Sequence, residues 1–91
     1  MLAPDVVEAA RFVSNDVTAR RVFRYFDKVS SQSGWGIAKE LDINPTTVEQ
    51  VLREFRDRGI LEGRGSGLEA YYYLTHLGFQ LREYLAASTI I

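Results

Sequence analysis

Ninety-one residues, 46% of them hydrophobic, suffice for a single domain, 1–91, with a modest core, and so small a domain often gains stability by pairing with its own copy. The chain has no cysteine and one histidine, His76, which excludes a disulfide framework, a thiolate metal site and a histidine-rich metal cluster. The net charge is -1 and the pI near 5.8, which is not the overall basic balance of a protein that simply coats DNA.

Charge distribution matters more than the sum. Residues 20–64 hold nine basic groups against seven acids, a net +2, and the flanks hold two against five, a net -3. The polarity suits a polyanion at the centre, and equally a plain solvated surface. No apolar run approaches the ~18 residues of a membrane span. The start, MLAPDVVEAARF, lacks the basic and apolar regions of a signal peptide. Both point to a cytoplasmic protein.

Residues 4–13, PDVVEAARFV, read as a helix: Pro4 suits its start, and Val6, Ala9, Ala10 and Val13 share a face. Ser14-Asn15-Asp16 interrupts it. Asn15 or Asp16 can cap a second helix over about 17–29, where Ala19, Val22, Phe23, Phe26 and Val29 form the buried stripe and Arg20, Arg21, Arg24 and Lys28 lie largely away from it. Ser30-Ser31-Gln32-Ser33-Gly34 is a polar linker, and Trp35 stands between Gly34 and Gly36.

Residues 36–58 read as two helices joined by a tight turn. Ala38 and Leu41 share one face of the first, and Asp42-Ile43-Asn44 breaks it. Asn44 can accept from an orphan N–H of the next helix, and Pro45 fits the first helical position because its missing N–H costs nothing there. Val48, Val51, Leu52 and Phe55 recur at i, i+3, i+4 and i+7, a buried stripe. Gly59 provides a left-handed stop. Thr46, Thr47, Glu49, Gln50, Arg53 and Asp57 are left on other faces, and Glu49 and Glu54 can pair with Arg53 or Arg58 along the helix. Beyond it, Leu61-Glu62-Gly63 can be a strand, Arg64-Gly65-Ser66-Gly67 a flexible tip and Ala70–Leu74 a return strand, with Tyr72 and Leu74 on one face and Tyr71 and Tyr73 on the other. Thr75 can cap a last helix, about 75–88, whose Leu77, Leu81, Tyr84, Leu85, Phe79 and Ala87 make an apolar surface wider than one stripe. A surplus apolar face calls for a partner, most simply a second copy, to which the tail Ser88-Thr89-Ile90-Ile91 can add.

In the order of these parts the chain resembles the winged helix-turn-helix DNA-binding proteins, the small MarR-like and PadR-like regulators of bacteria and archaea. Ala38, Ile43, Val48, Leu52, the phrase Arg58-Gly59-Ile60-Leu61 and the closing Leu74-Thr75 with Leu77-Gly78 carry the resemblance, over about 17–87. It implies an α+β, mostly α fold, with the helix-turn-helix at about 36–58, a wing at about 60–74, and N- and C-terminal helices at a dimer interface formed by Leu77, Leu81, Tyr84 and Leu85. It implies a short strand near Trp35, with that residue facing inward under the wing.

It also implies that the second helix of the motif enters the DNA major groove. Thr47, Gln50 and Arg53 would then read base edges, and Thr46 would hold a phosphate. Arg64, Lys39, Arg20 and Arg24 would contact the backbone. The expected protein is a homodimeric, nucleoid-associated binder of double-stranded DNA, either a transcriptional repressor or a plasmid or viral site-binding protein such as a partition-site binder. The alternative is a winged helix used for protein contacts within a larger assembly, favoured by the acidic pI. A catalytic role is not expected: the sequence has no nucleophile–base set and no glycine-rich phosphate loop, and one histidine supplies no acid–base pair. No cofactor is expected.

Overall fold

Three helical turns with special endings fix the backbone. In the computed structural model, which describes residues 4–88, the chain order is α1 (Pro4–Asn15), α2 (Val17–Tyr25), β1 (Gln32–Ser33), α3 (Gly34–Leu41), α4 (Pro45–Asp57), β2 (Leu61–Arg64), a 3-10 turn (Gly67–Glu69), β3 (Tyr71–Leu74) and α5 (His76–Ser88). The tail residues Thr89, Ile90 and Ile91 lie outside the described residues.

Asp16 separates α1 from α2, its Oδ1 accepting from the Ala19 N–H at 3.0 Å. α2 ends earlier than its apolar spacing suggests. The N–H groups of Phe26, Asp27 and Lys28 each bond back three residues rather than four, and this tighter winding still brings Phe26 and Val29 to the core.

α3 closes on Asp42, which adopts the left-handed conformation at φ 54°. The Ile43 N–H reaches back to the Ala38 carbonyl at 3.1 Å, which folds Ile43 against the core. A side chain with a Cβ is strained at such an angle, an aspartate less than most. Asp42→Val is expected to lower stability by about 1–2 kcal/mol, whereas Asp42→Gly should hold or raise it. Urea unfolding checks this, and equal losses from both would assign the effect to the carboxylate rather than to the backbone.

Asn44 caps α4, its Oδ1 accepting from the Thr46 N–H at 2.8 Å, with Pro45 in the first turn. At the other end Gly59 (φ 75°) reverses the chain, and Ile60 donates to the Phe55 carbonyl at 2.9 Å. Thr75 then joins the end of α4 to the start of α5. Its hydroxyl donates to the Ile60 carbonyl at 3.0 Å and accepts from the Gly78 N–H at 3.0 Å. A Cβ on Gly78 would sit 2.4 Å from the Ile60 carbonyl oxygen, so only glycine fits this crossing.

The sheet has the order β1-β3-β2, antiparallel throughout. Gln32 pairs Tyr72 and Ser33 pairs Tyr71 on one side; Leu61 pairs Leu74 and Arg64 pairs Tyr71 on the other. Alternation puts Leu61, Tyr72 and Leu74 inward and leaves Arg64 and Tyr71 outward. The core joins all five helices to the sheet through Val13, Val22, Phe23, Ile37, Val48, Leu52, Phe55, Ile60, Tyr72 and Leu81.

Three expectations are corrected. Trp35 is not an inward strand residue: Ser33 accepts from the Gly36 N–H at 3.0 Å and starts α3 there, so Trp35 lies in its first turn, 53% exposed. The wing tip is not a loose hairpin end. Residues Gly67–Glu69 form a 3-10 turn that lies against α3 and α4, and Leu68 comes so near that a Cβ on Gly34 would be 2.8 Å from its Cα. Leu81 belongs to the chain's own core, fully buried, and so has no surface to give a second copy. The α1 residues Val6, Ala9, Ala10 and Val13 are likewise buried within the chain. No helix among the described residues is long and apolar enough to cross a membrane.

Candidate nucleic-acid interface

α4 buries Val48, Val51, Leu52 and Phe55 and so fixes its own rotation. Its outward line is Thr46, Gln50, Arg53 and Asp57, all exposed, at i, i+4, i+7 and i+11. Thr47 is half-buried, beside this line rather than on it. The four residues differ in what they offer: a hydroxyl, a carboxamide that both donates and accepts, a guanidinium and, at the far end, a carboxylate.

The two glutamates of α4 are turned aside from that line, and Asp57 stays on its far end. Glu54 pairs with Arg58 at 2.8 Å, one turn on. The Glu49 carboxylate lies beside the wing, 3.2 Å from where a Cβ on Gly67 would be. Arg58 also stacks over the Phe12 ring, its Cζ 4.3 Å from the centroid, and is thereby committed to the α1–α4 junction. Arg53, Arg64 and Lys39 are exposed, and their side chains have no hydrogen-bond or ion-pair partner among the described residues.

α2 divides its arginines between two flanks. The Arg21 Nη2 donates to the Leu41 carbonyl at 2.7 Å, at the end of α3 and next to the motif's turn. Arg20 and Arg24 lie on the other flank, where they line a groove of about 550 Å³ with Val13, Phe23, Asp27, Arg82 and Leu85. Arg20 donates to the Ser14 carbonyl. Arg21, not Arg20 or Arg24, is therefore the α2 cation that touches the helix-turn-helix. The sequence marked Arg21 as one of a group and carried no signal of which flank would face the motif.

Arg56, which the sequence did not single out, faces the wing. Its Nη1 donates to the Gly65 carbonyl at 3.0 Å and its Nη2 to that of Gly63 at 3.4 Å. On the outer sheet face, Arg64 and Tyr71 are cross-strand partners, and Tyr71 is 55% exposed. Tyr73 is half-buried, its hydroxyl 3.4 Å from the Glu62 carboxylate. A capped helix with an exposed polar line, followed by a hairpin tied to that helix, completes the arrangement. The chain is a winged helix-turn-helix.

Solved structures share this fold at low sequence identity. TubR bound to 24 bp of tubC from Bacillus thuringiensis serovar israelensis pBtoxis matches with a TM-score of 0.80 at 20% identity, over 97% of this chain and 99% of that one. A type III plasmid segregation TubR mutant matches at 0.81 and 19%, over 100% and 99%. The antimony-specific transcriptional repressor AntR matches at 0.71 and 19%, over 91% and 77%. No protein-family model matches the winged helix described here, and no curated protein matches its sequence.

The predicted dimer residues on α5 have unequal surfaces. Leu77, Tyr84 and Leu85 are half-buried, the last two packed on the core, and Phe79 is 47% exposed. Arg82 lies over the Phe79 ring at 4.9 Å and donates to the Phe26 carbonyl at 3.4 Å.

Proposed function

We propose that the chain binds double-stranded DNA sequence-specifically as a homodimer, serving as a transcriptional repressor or as a plasmid or viral site-binding protein such as a partition-site binder. The observation that carries this reading is the outward line of α4: Thr46, Gln50 and Arg53 are exposed on a helix capped at Asn44, and the helix's glutamates are drawn off to Arg58 and to the wing. Gln50 suits adenine and Arg53 suits guanine, each through paired hydrogen bonds in the major groove. Arg64 and Lys39 supply phosphate contacts, with Thr46 and Thr47 at the helix start. TubR bound to tubC DNA shares nearly the whole fold, and the type III plasmid segregation TubR supports the site-binding role in particular. The work of such a protein is non-catalytic, needs no cofactor and is done in the cytoplasm on the nucleoid.

Two copies related by a two-fold axis would present two α4 helices to half-sites about one helical turn apart. α5 supplies the contact through Phe79 on its outward side, Leu81 having no part in it. Phe79→Glu is expected to shift the protein from dimer to monomer in sedimentation velocity, with the helical circular dichroism kept and the melting temperature lowered by the lost pairing. A dimer that survives this change would move the interface off α5.

The test of the function is selection from a random DNA pool, followed by titration of the selected site and a scrambled one across salt. Selective binding whose affinity falls steeply with salt supports the reading, and the slope counts the phosphates neutralised. Weak, unselective binding at every salt concentration would overturn it in favour of a winged helix that binds protein.

A further inference from the structure

Within the wing, the Tyr72 hydroxyl donates to the Gly67 carbonyl at 2.8 Å from the inner face of the sheet, and two further contacts fasten the wing to the helices. Leu68 lies over Gly34 at the start of α3. Arg56 reaches from α4 to the carbonyls of Gly63 and Gly65. Leu68 holds the return side of the wing. On the outgoing side the pairing of β2 with β3 runs out at Arg64 and Tyr71, and among the described residues Arg56 is the side chain of the helical body that hydrogen-bonds to it, gripping the immediate neighbours of Arg64. Gly65 sits at φ 97°, a conformation that favours glycine.

A guanidinium is a planar fork with fixed donor directions, so two bonds from one Arg set both a distance and an orientation. Arg56 is also three residues from Arg53 along α4, so one helix carries a candidate base-reading side chain and the clamp on a candidate phosphate-binding one. We infer that Arg56 is a positioning residue for Arg64: it sets the spacing between the recognition helix and the wing, so that Arg64 meets DNA when α4 is seated. This rests on the DNA-binding reading above.

A double-mutant cycle on the selected DNA site tests it, with Arg56→Ala, Arg64→Ala, the double variant and Arg56→Lys, each in the full chain. Arg56→Ala should weaken binding about fivefold, the factor equivalent to the net ~1 kcal/mol of one hydrogen bond. The double variant should bind no worse than Arg64→Ala alone, because Arg56 acts through Arg64. Arg56→Lys should behave like Arg56→Ala, since an ammonium keeps the charge and loses the fork. Additive losses, or full rescue by lysine, would make Arg56 a phosphate contact in its own right and overturn the proposal. A second measurement needs no DNA: NMR order parameters of the Gly65 and Ser66 amides in the free protein should fall in both Arg56 variants while those of α4 are unchanged. Unchanged order parameters would defeat the clamp even if the chain binds DNA, and lowered ones would uphold it even if the DNA-binding reading failed.

Discussion

Phe55→Ala is expected to cost about 3–5 kcal/mol of unfolding free energy, the range for removing a fully buried phenylalanine. Phe55 is inaccessible to solvent. Its ring meets Phe12 of α1 edge-on at 5.6 Å and Phe23 of α2 at 6.1 Å. One side chain thus joins three helices, and its backbone carbonyl accepts the bond that ends α4. Domains of this kind have roughly 5–15 kcal/mol in total, so the loss is a large part of what holds the molecule together. Urea unfolding should show a much lower midpoint, with the slope kept if the transition stays two-state. Phe55→Leu should lose clearly less, because most of the volume remains. A loss below about 1 kcal/mol for alanine, outside the range for large-to-small core changes, would mean that α1 and α2 can close over the gap and that Phe55 is not the joint described.

What could be read in advance follows the range of the interactions involved. α4 was legible because its determinants are local: Asn44, Pro45, the apolar stripe and Gly59 each act within a turn of their own position, and each behaves accordingly. The same holds for Thr75 before α5. Trp35 was misread although a local signal existed. The short strand is there, at Gln32–Ser33, but Ser33, as a serine cap, ends it before Trp35, whereas the resemblance carried it onto Trp35. Leu81 shows a different limit. A helix with apolar residues all round says that several faces are covered, not which is covered by its own chain, and the contact with α1 decides that. The arginines of α2 and α4 show a third. Spacing separates Arg20 and Arg24 from Arg21, but only the packed fold shows that Arg21 meets the end of α3 while the others face the α5 groove. Arg56 was invisible for the same reason: its partners are backbone carbonyls of a hairpin whose position no helical wheel encodes.

Arg53→Ala and Arg64→Ala are expected to fail in different ways, and the contrast separates reading from holding. Arg53 is on the outward line of α4, one turn beyond Gln50, exposed, its side chain without a partner among the described residues. Its removal takes nothing from the fold. If Arg53 pairs with a guanine edge, alanine should cost about 1–3 kcal/mol on the selected site and much less on scrambled DNA, so the preference between the two narrows. Arg64 is at the end of β2, beside a glycine turn and cross-strand from Tyr71, and its proposed contact is with phosphate. Its removal should weaken both DNAs alike and lower the salt slope by about one. Equal loss on both DNAs for Arg53→Ala would reduce it to another phosphate contact, leaving specificity to Gln50. An unchanged slope for Arg64→Ala would take the wing out of the interface, and the clamp from α4 would then serve stability alone. Melting temperatures near that of the parent chain are expected for both variants, which keeps either result a statement about binding.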